Sequence, residues 1–141
     1  MTEQNKLTAY DNLGDEKLYE LVDRFYELVP MHPDLVEIFP DDLTETARKQ
    51  KQFLTQFFGG PSLYTQEHGH PMLRARHMPF SITPKRGEAW LSCMAQALVD
   101  TRIEEPLRTA LFERLSYTAR HMINSEDKDL SSNNAQKGDD S

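Results

Sequence analysis

Wherever this chain is apolar it is apolar at three- and four-residue steps, and that spacing commits it to helices. From Asp15 to Val29, the residues Leu18, Leu21, Val22, Phe25, Leu28 and Val29 form one stripe, the period of an α-helix that buries a single face. Alternating β-branched runs, the mark of a half-buried strand, are absent. Pro30 and Pro33 end the first helix, since proline pushes its predecessor out of helical geometry. A second helix is expected from Asp42, with Glu45 three residues on as a capping box, stopping at Gly59-Gly60-Pro61. Thr83-Pro84 is a cap followed by a first-turn proline, predicting a third helix through Trp90 to about Val99. A fourth runs from about Pro106 through Leu107, Leu111, Leu115, Ala119 and Met122. The fold class is therefore all-α, and 141 residues suffice for one domain with one core.

Between Gly60 and Thr83 the periodicity allows only one short helical piece, about Pro71 to His77. A connection that long in a compact domain is usually functional or disordered. This one contains "HGHPMLRARHMPF", with three of the chain's five histidines and two arginines. Either it is a solvated loop, or one imidazole is a metal ligand with cations beside it. His77 ends the short piece next to Pro79 and Phe80, where its ring can turn inward. His68 and His70, separated by one glycine, read as solvent-facing. Arg74 and Arg76 flank His77, and arginine forks suit carboxylates.

Polar groups interrupt the apolar stripes of three helices elsewhere. The second helix carries Leu43, Ala47, Phe53, Leu54, Phe57 and Phe58 inward, yet Thr46 and Gln50 share that face. A buried amide is costly unless something takes its hydrogen bonds. Tyr26 lies four residues after Val22 and three before Val29, and Trp90 has Cys93, Met94 and Ala97 on its side. Singly, each reads more simply as an ordinary amphipathic core or boundary residue. Together, a hydroxyl, an indole N–H and an amide from three helices suit a mostly apolar pocket with a few placed donors.

Charge and cysteine usage remove several function classes. The net charge of -7 disfavours nucleic acid and anionic membrane, because the overall field repels phosphates. No apolar run approaches the roughly 20 residues of a spanning helix. The start, "MTEQNKL", has no export signal. The single cysteine, Cys93, rules out intramolecular disulfides, Cys-rich zinc sites and a covalently attached c-type haem, and fits a reducing cytoplasm. The last stretch, "NSEDKDLSSNNAQKGDDS", is polar and without aromatics and reads as a disordered tail.

Several long motifs, in order, give the chain a family likeness: "RFYELV", "IFPDDL", "QFLTQFFGGPSLY", "GHPMLRARHMPF" and "AWLSCM". It resembles the group II truncated haemoglobins over about Tyr10 to Asn124. The resemblance implies a two-over-two α-helical sandwich spanning residues 1–124, followed by a polar tail at 125–141. It implies non-covalent haem b, with His77 as the axial iron ligand. Tyr26 and Trp90 match the distal hydroxyl and indole donors. Thr46 falls where many globins place a distal histidine, and Gln50 lies one turn further in. Phe39 and Phe53 match residues against the porphyrin, and Lys49, Tyr64 and Arg76 match positions that meet its propionates. Gly59-Gly60 matches the glycine pair that turns the chain out of the second helix.

The function so implied is reversible binding of dioxygen or another diatomic gas, for carriage or sensing. The expected location is cytoplasmic; two points stay open, the identity of the reductase that serves as redox partner and whether the chain is a monomer or a homodimer. The same site also suits nitric-oxide dioxygenation or peroxide chemistry. A reading without haem would make His68, His70 and His77 a bare metal site, at the cost of leaving Tyr26, Gln50 and Trp90 unexplained.

Overall fold

The computed structural model describes residues 7–127, and among these there is no strand. Seven helices follow one another: α1 (Ala9–Leu13), α2 (Asp15–Leu28), α3 (Thr44–Phe57), α4 (Leu63–His68), α5 (Leu73–His77), α6 (Pro84–Asp100) and α7 (Leu107–His121). Two 3-10 turns, Val29–Met31 and Val36–Ile38, lie between α2 and α3. The α2–α3 pair lies on the α6–α7 pair, with α2 packed against α6. That is the two-over-two sandwich expected from the sequence.

The stripe read from the sequence is the core. Leu18, Leu21, Val22 and Phe25 of α2 are fully buried, facing Met94, Ala97 and Leu98 of α6 and Leu111 and Leu115 of α7. Each large side chain so buried is worth about 1.5–3 kcal/mol against exposure. The α6 start is as predicted. Thr83 Oγ1 accepts from the Arg86 amide at 3.1 Å, with Pro84 at the first helical position.

Three expectations need correction. The capping box at Asp42 does not form: α3 begins at Thr44, Leu43 takes the cap position without a side-chain bond, and Glu45 turns to Arg48. Asp42 still accepts from the Thr44 amide at 3.0 Å, and that bond holds its carboxyl below the usual range. The connection between Gly60 and Thr83 holds two helical pieces, α4 and α5, rather than one. The short α1 was not anticipated. Its capping box is Thr8 with Asp11: Thr8 Oγ1 accepts from the Asp11 amide, and Asp11 Oδ2 from the Thr8 amide, both at 3.0 Å.

The glycine pair explains how α1 docks. Tyr10 N donates to Phe58 O at 2.8 Å. A Cβ on Gly60 would lie 2.8 Å from the Tyr10 ring and 2.9 Å from Thr55 O, and one on Gly59 would lie 2.7 Å from Thr8 Cβ. The backbone of this turn is therefore the surface on which α1 rests. No helix among the described residues is long and apolar enough to cross a membrane.

Candidate functional site

His77 is the last residue of α5, and its ring is already oriented. Nδ1 lies 2.7 Å from Leu73 O, one turn back. A carbonyl can only accept, so the ring proton is on Nδ1 and the lone pair on Nε2. No described residue engages Nε2. An imidazole held in one tautomer by a backbone carbonyl, with its other nitrogen free, is prepared to be a metal ligand. Beside it, Met72, Met78 and Phe80 are all about half exposed.

Two of the predicted distal residues, Tyr26 of α2 and Trp90 of α6, meet one buried ring. Phe25, fully buried, meets Tyr26 edge-on at 4.8 Å between centroids and Trp90 at 5.0 Å. Tyr26 meets Phe39 edge-on at 6.1 Å. Trp90, Tyr26 and Phe39 are thus joined, from α6 through α2 to the turn before α3. Phe25 is the residue the sequence reading had placed only in the core. Thr46, Gln50 and Phe53 are half-buried along one face of α3. Among the described residues, the Tyr26 hydroxyl, the Trp90 indole, the Gln50 amide and the Thr46 hydroxyl have no hydrogen-bond partner. Burial alone pushes the Tyr26 phenol upward from 10.0, so it remains a protonated donor at any ordinary pH.

A second row joins three other expected residues. Phe53 stacks on Phe57 at 5.4 Å and meets Tyr64 edge-on at 6.0 Å, and the Arg76 guanidinium lies 5.4 Å from the Tyr64 ring centre. Lys49 is exposed, and no described carboxylate pairs with it. Arg76 is largely committed to main chain: Nε donates to Pro71 O, and Nη2 to His68 O and His70 O at 3.2 and 3.1 Å. Only Nη1 remains free of a described partner.

Other cations and histidines sit elsewhere than expected. Arg74 faces the end of α7, where Nη1 donates to His121 O and Ile123 O. Terminal carbonyls of a helix lack intrahelical N–H donors and carry partial negative charge, so they attract a guanidinium. His68 is not solvent-facing. Its side chain is 16% exposed and Nε2 lies 2.8 Å from Gln52 Oε1, while Gln52 Nε2 donates to Glu67 at 2.8 Å. Arg48 grips Glu67 with two nitrogens at 2.9 and 2.6 Å. Arg48 first, then Gln52, brings the Glu67 carboxyl down to about 2. This network fastens α4 to α3.

The site fits haem and not a bare ion. Among the described residues no three histidine, cysteine or carboxylate side chains gather to hold a metal, and His68 and His77 are turned onto different partners. What the residues offer is a single free imidazole nitrogen, apolar and aromatic neighbours in its own segment, and unpartnered donors on α2, α3 and α6. A flat iron macrocycle with one axial imidazole needs that set. Non-covalent attachment fits as well, since Cys93 is buried in the core.

The expected tail also needs adjustment at its start. Asn124, Ser125 and Asp127 all bond to the fold, and the remainder of the stretch read as disordered, residues 128–141, lies outside the described residues.

Comparison with known proteins agrees with this fold. A family model described as bacterial-like globin matches residues 8–124. The group 2 truncated hemoglobin YjbI of Bacillus subtilis is 62% identical over 124 residues, 87% of this chain and 94% of the relative. The crystal structure of the group II truncated hemoglobin from Bacillus anthracis superposes with a TM-score of 0.85 at 62% identity, over 86% of this chain and 100% of that one. That of the truncated oxygen-avid haemoglobin from Bacillus subtilis gives 0.82 at 62% identity, over 84% and 100%.

Proposed function

Since the chain belongs to the bacterial-like globin family, as a group II truncated haemoglobin, we propose that it holds haem b through His77 and binds dioxygen reversibly. A haem with one axial imidazole supplies an open coordination position for a diatomic ligand. His77 would donate the Nε2 lone pair, and the Leu73 carbonyl fixes the ring's rotation. Phe39 and Phe53 would pack against the cofactor. Lys49, the Tyr64 hydroxyl and the free Nη1 of Arg76 meet its carboxylates at the solvent edge.

Tyr26 and Trp90 would donate hydrogen bonds to a gas ligand held at that open position. Donors fixed in advance in a pocket with little water stabilise negative charge strongly. Gln50 donates as well or orients Tyr26. Thr46 leaves a small side chain at the entrance. The gas is carried or sensed in the cytoplasm, in keeping with the lone thiol.

One observation carries this reading: the free nitrogen of His77 lies in the same small fold as hydroxyl and indole donors that no described residue satisfies. Purified protein should therefore show a Soret band and form a stable oxygen adduct. His77→Ala should lose the haem spectrum, while His68→Ala and His70→Ala keep it. An unchanged five-coordinate ferrous spectrum in His77→Ala would refute the axial assignment.

A further inference from the structure

The helix that presents His77 cannot hold itself together. Five residues are far below the length at which an isolated helix is stable, and α5 buries none of its side chains. Polar bonds from the segment after α7 supply what packing does not. Arg74 is tied to His121 O and Ile123 O. Asn124 makes the more specific connection. Its Nδ2 donates to His77 O at 3.2 Å and to Phe80 O at 3.0 Å. Its Oδ1 accepts from Ile82 N at 3.0 Å and from Ser125 Oγ at 2.8 Å.

Those four bonds use the whole capacity of a primary amide, two donors and two acceptors. They also settle which end of the amide is nitrogen, because two carbonyls face one end and an N–H the other. The main chain reinforces the joint, with Asn124 N donating to Ile82 O at 2.8 Å. The segment itself rests on α6. Ile123 lies against Gly87, 3.2 Å from where a Cβ would stand, and Arg120 pairs with Glu88 at 3.1 Å. Ile82 immediately precedes the Thr83 cap of α6, the helix that carries Trp90. One side chain therefore ties the carbonyl of His77 to the origin of the distal indole's helix.

We infer that Asn124 is a positioning residue for the proximal imidazole: by holding the carbonyls of His77 and Phe80 it keeps the last turn of α5 closed. The inference rests on His77 being the axial ligand. A closed turn keeps Nδ1 on Leu73 O, and that bond sets the direction of Nε2. An opened turn lengthens it, and the axial bond weakens and becomes heterogeneous. Only an amide serves here. Aspartate of the same shape keeps the acceptor for Ile82 N but presents a carboxylate to two carbonyls.

Asn124→Asp thus separates the proximal half of the joint from the α6 half. The test compares it with wild type, Ser125→Ala and His77→Ala as haem-loaded full-length proteins. Three readouts apply: the iron–histidine stretching band of the ferrous form by resonance Raman, haem transfer to an acceptor protein, and far-ultraviolet circular dichroism. In Asn124→Asp the band should move to lower frequency and broaden, and haem should transfer roughly tenfold faster, within the range usual for loss of an outer partner of a metal ligand. Helicity should be unchanged, and Ser125→Ala, which leaves both proximal bonds in place, should match wild type.

A wild-type band in folded Asn124→Asp would overturn the inference. Should that variant not accumulate, Asn124→Ala removes the amide without adding charge and is read the same way. If His77→Ala loses the haem spectrum while the Asn124 variants keep a wild-type band, the axial reading stands and only the positioning role falls. If His77→Ala keeps the wild-type spectrum, both fall.

Discussion

Tyr26→Phe should improve the stability of the protein and damage its function, and the opposed signs make it the most informative single change. The hydroxyl has no described hydrogen-bond partner, and its phenol is pushed upward by burial alone. Removing it orphans nothing in the protein. A buried hydroxyl left unpaired costs about 1–3 kcal/mol. The one fully sealed, unpartnered side-chain polar atom among the described residues is Ser116 Oγ, so Tyr26 keeps some access to water and the gain belongs at the low end, up to about 1 kcal/mol. With oxygen present the sign reverses. A hydrogen bond to a partly charged acceptor contributes between the neutral value of about 0.5–1.5 kcal/mol and the charged value of about 1.5–3. Each ~1.4 kcal/mol is a factor of ten, so oxygen should leave roughly tenfold faster. Stopped-flow oxygen release measures the second effect, and urea unfolding of the oxygen-free protein measures the first. Trp90→Phe should also speed release roughly tenfold, and because both donors serve one ligand the double variant should be non-additive. Carbon monoxide, less polar when bound, should respond less. A Tyr26→Phe protein that is clearly destabilised yet releases oxygen at the wild-type rate would show that the hydroxyl serves the fold, and the distal reading would be wrong.

Gly60→Ala should lower stability by about 1–3 kcal/mol, as overpacking commonly does, because one of its contacts would be the Thr55 carbonyl, which cannot swing aside; an unchanged urea midpoint would refute the close approach of α1. Arg76→Ala should transfer haem several-fold faster with oxygen release unaltered, since screening limits propionate contacts near solvent while its bonds to Pro71, His68 and His70 hold the loop; equal transfer rates would count against it. Stability should fall as the pH rises above 10.0, because the unfolded chain ionises Tyr26 there while the folded chain, with the phenol pushed upward, keeps its proton. Urea midpoints taken on either side of that pH should therefore fall less in Tyr26→Phe, although Tyr10, raised to about 12 chiefly by its bond to Asp15, contributes to the fall in both proteins.

The long helices were legible because their signals are local and repeated. Leu18, Leu21, Val22 and Phe25 announce one face of α2, and Thr83-Pro84 announces the start of α6. The short helices were not, because each depends on a partner far away in the chain. Residues 9–13 form a helix where Tyr10 N reaches Phe58 O and the glycine turn gives it a floor. Residues 63–68 form one where Arg48 and Gln52 of α3 grip Glu67. Leu43 displaced Asp42 as the cap of α3, since one carboxylate bond to the Thr44 amide suffices without Glu45. Within the site, residue types suggested a cage and the family likeness assigned roles. Neither could tell that Arg74 faces the end of α7, that His68 turns to Gln52, or that Asn124 belongs to the proximal side. Those facts depend on which carbonyls the fold leaves without partners.

The two sides of the site are held by different physics. Tyr26 and Trp90 project from long helices anchored on fully buried side chains, and both rings rest on Phe25. Shifting either donor would disturb the fully buried Phe25. His77 projects from a helix with no buried residue, tied down by hydrogen bonds of Arg74, Arg76 and Asn124 to main-chain carbonyls near the surface. Regions with few buried contacts and exposed hydrogen bonds open locally at far lower free energy than the core. Local opening should therefore reach the proximal side first, while the distal donors keep their places. On the proposed reading, a gas ligand would meet donors that need no rearrangement, and cofactor exchange would be governed by the fastening of α5. A substitution in the core would have to unfold much of the protein before it released haem, whereas one in the proximal ties would release it from a molecule still folded.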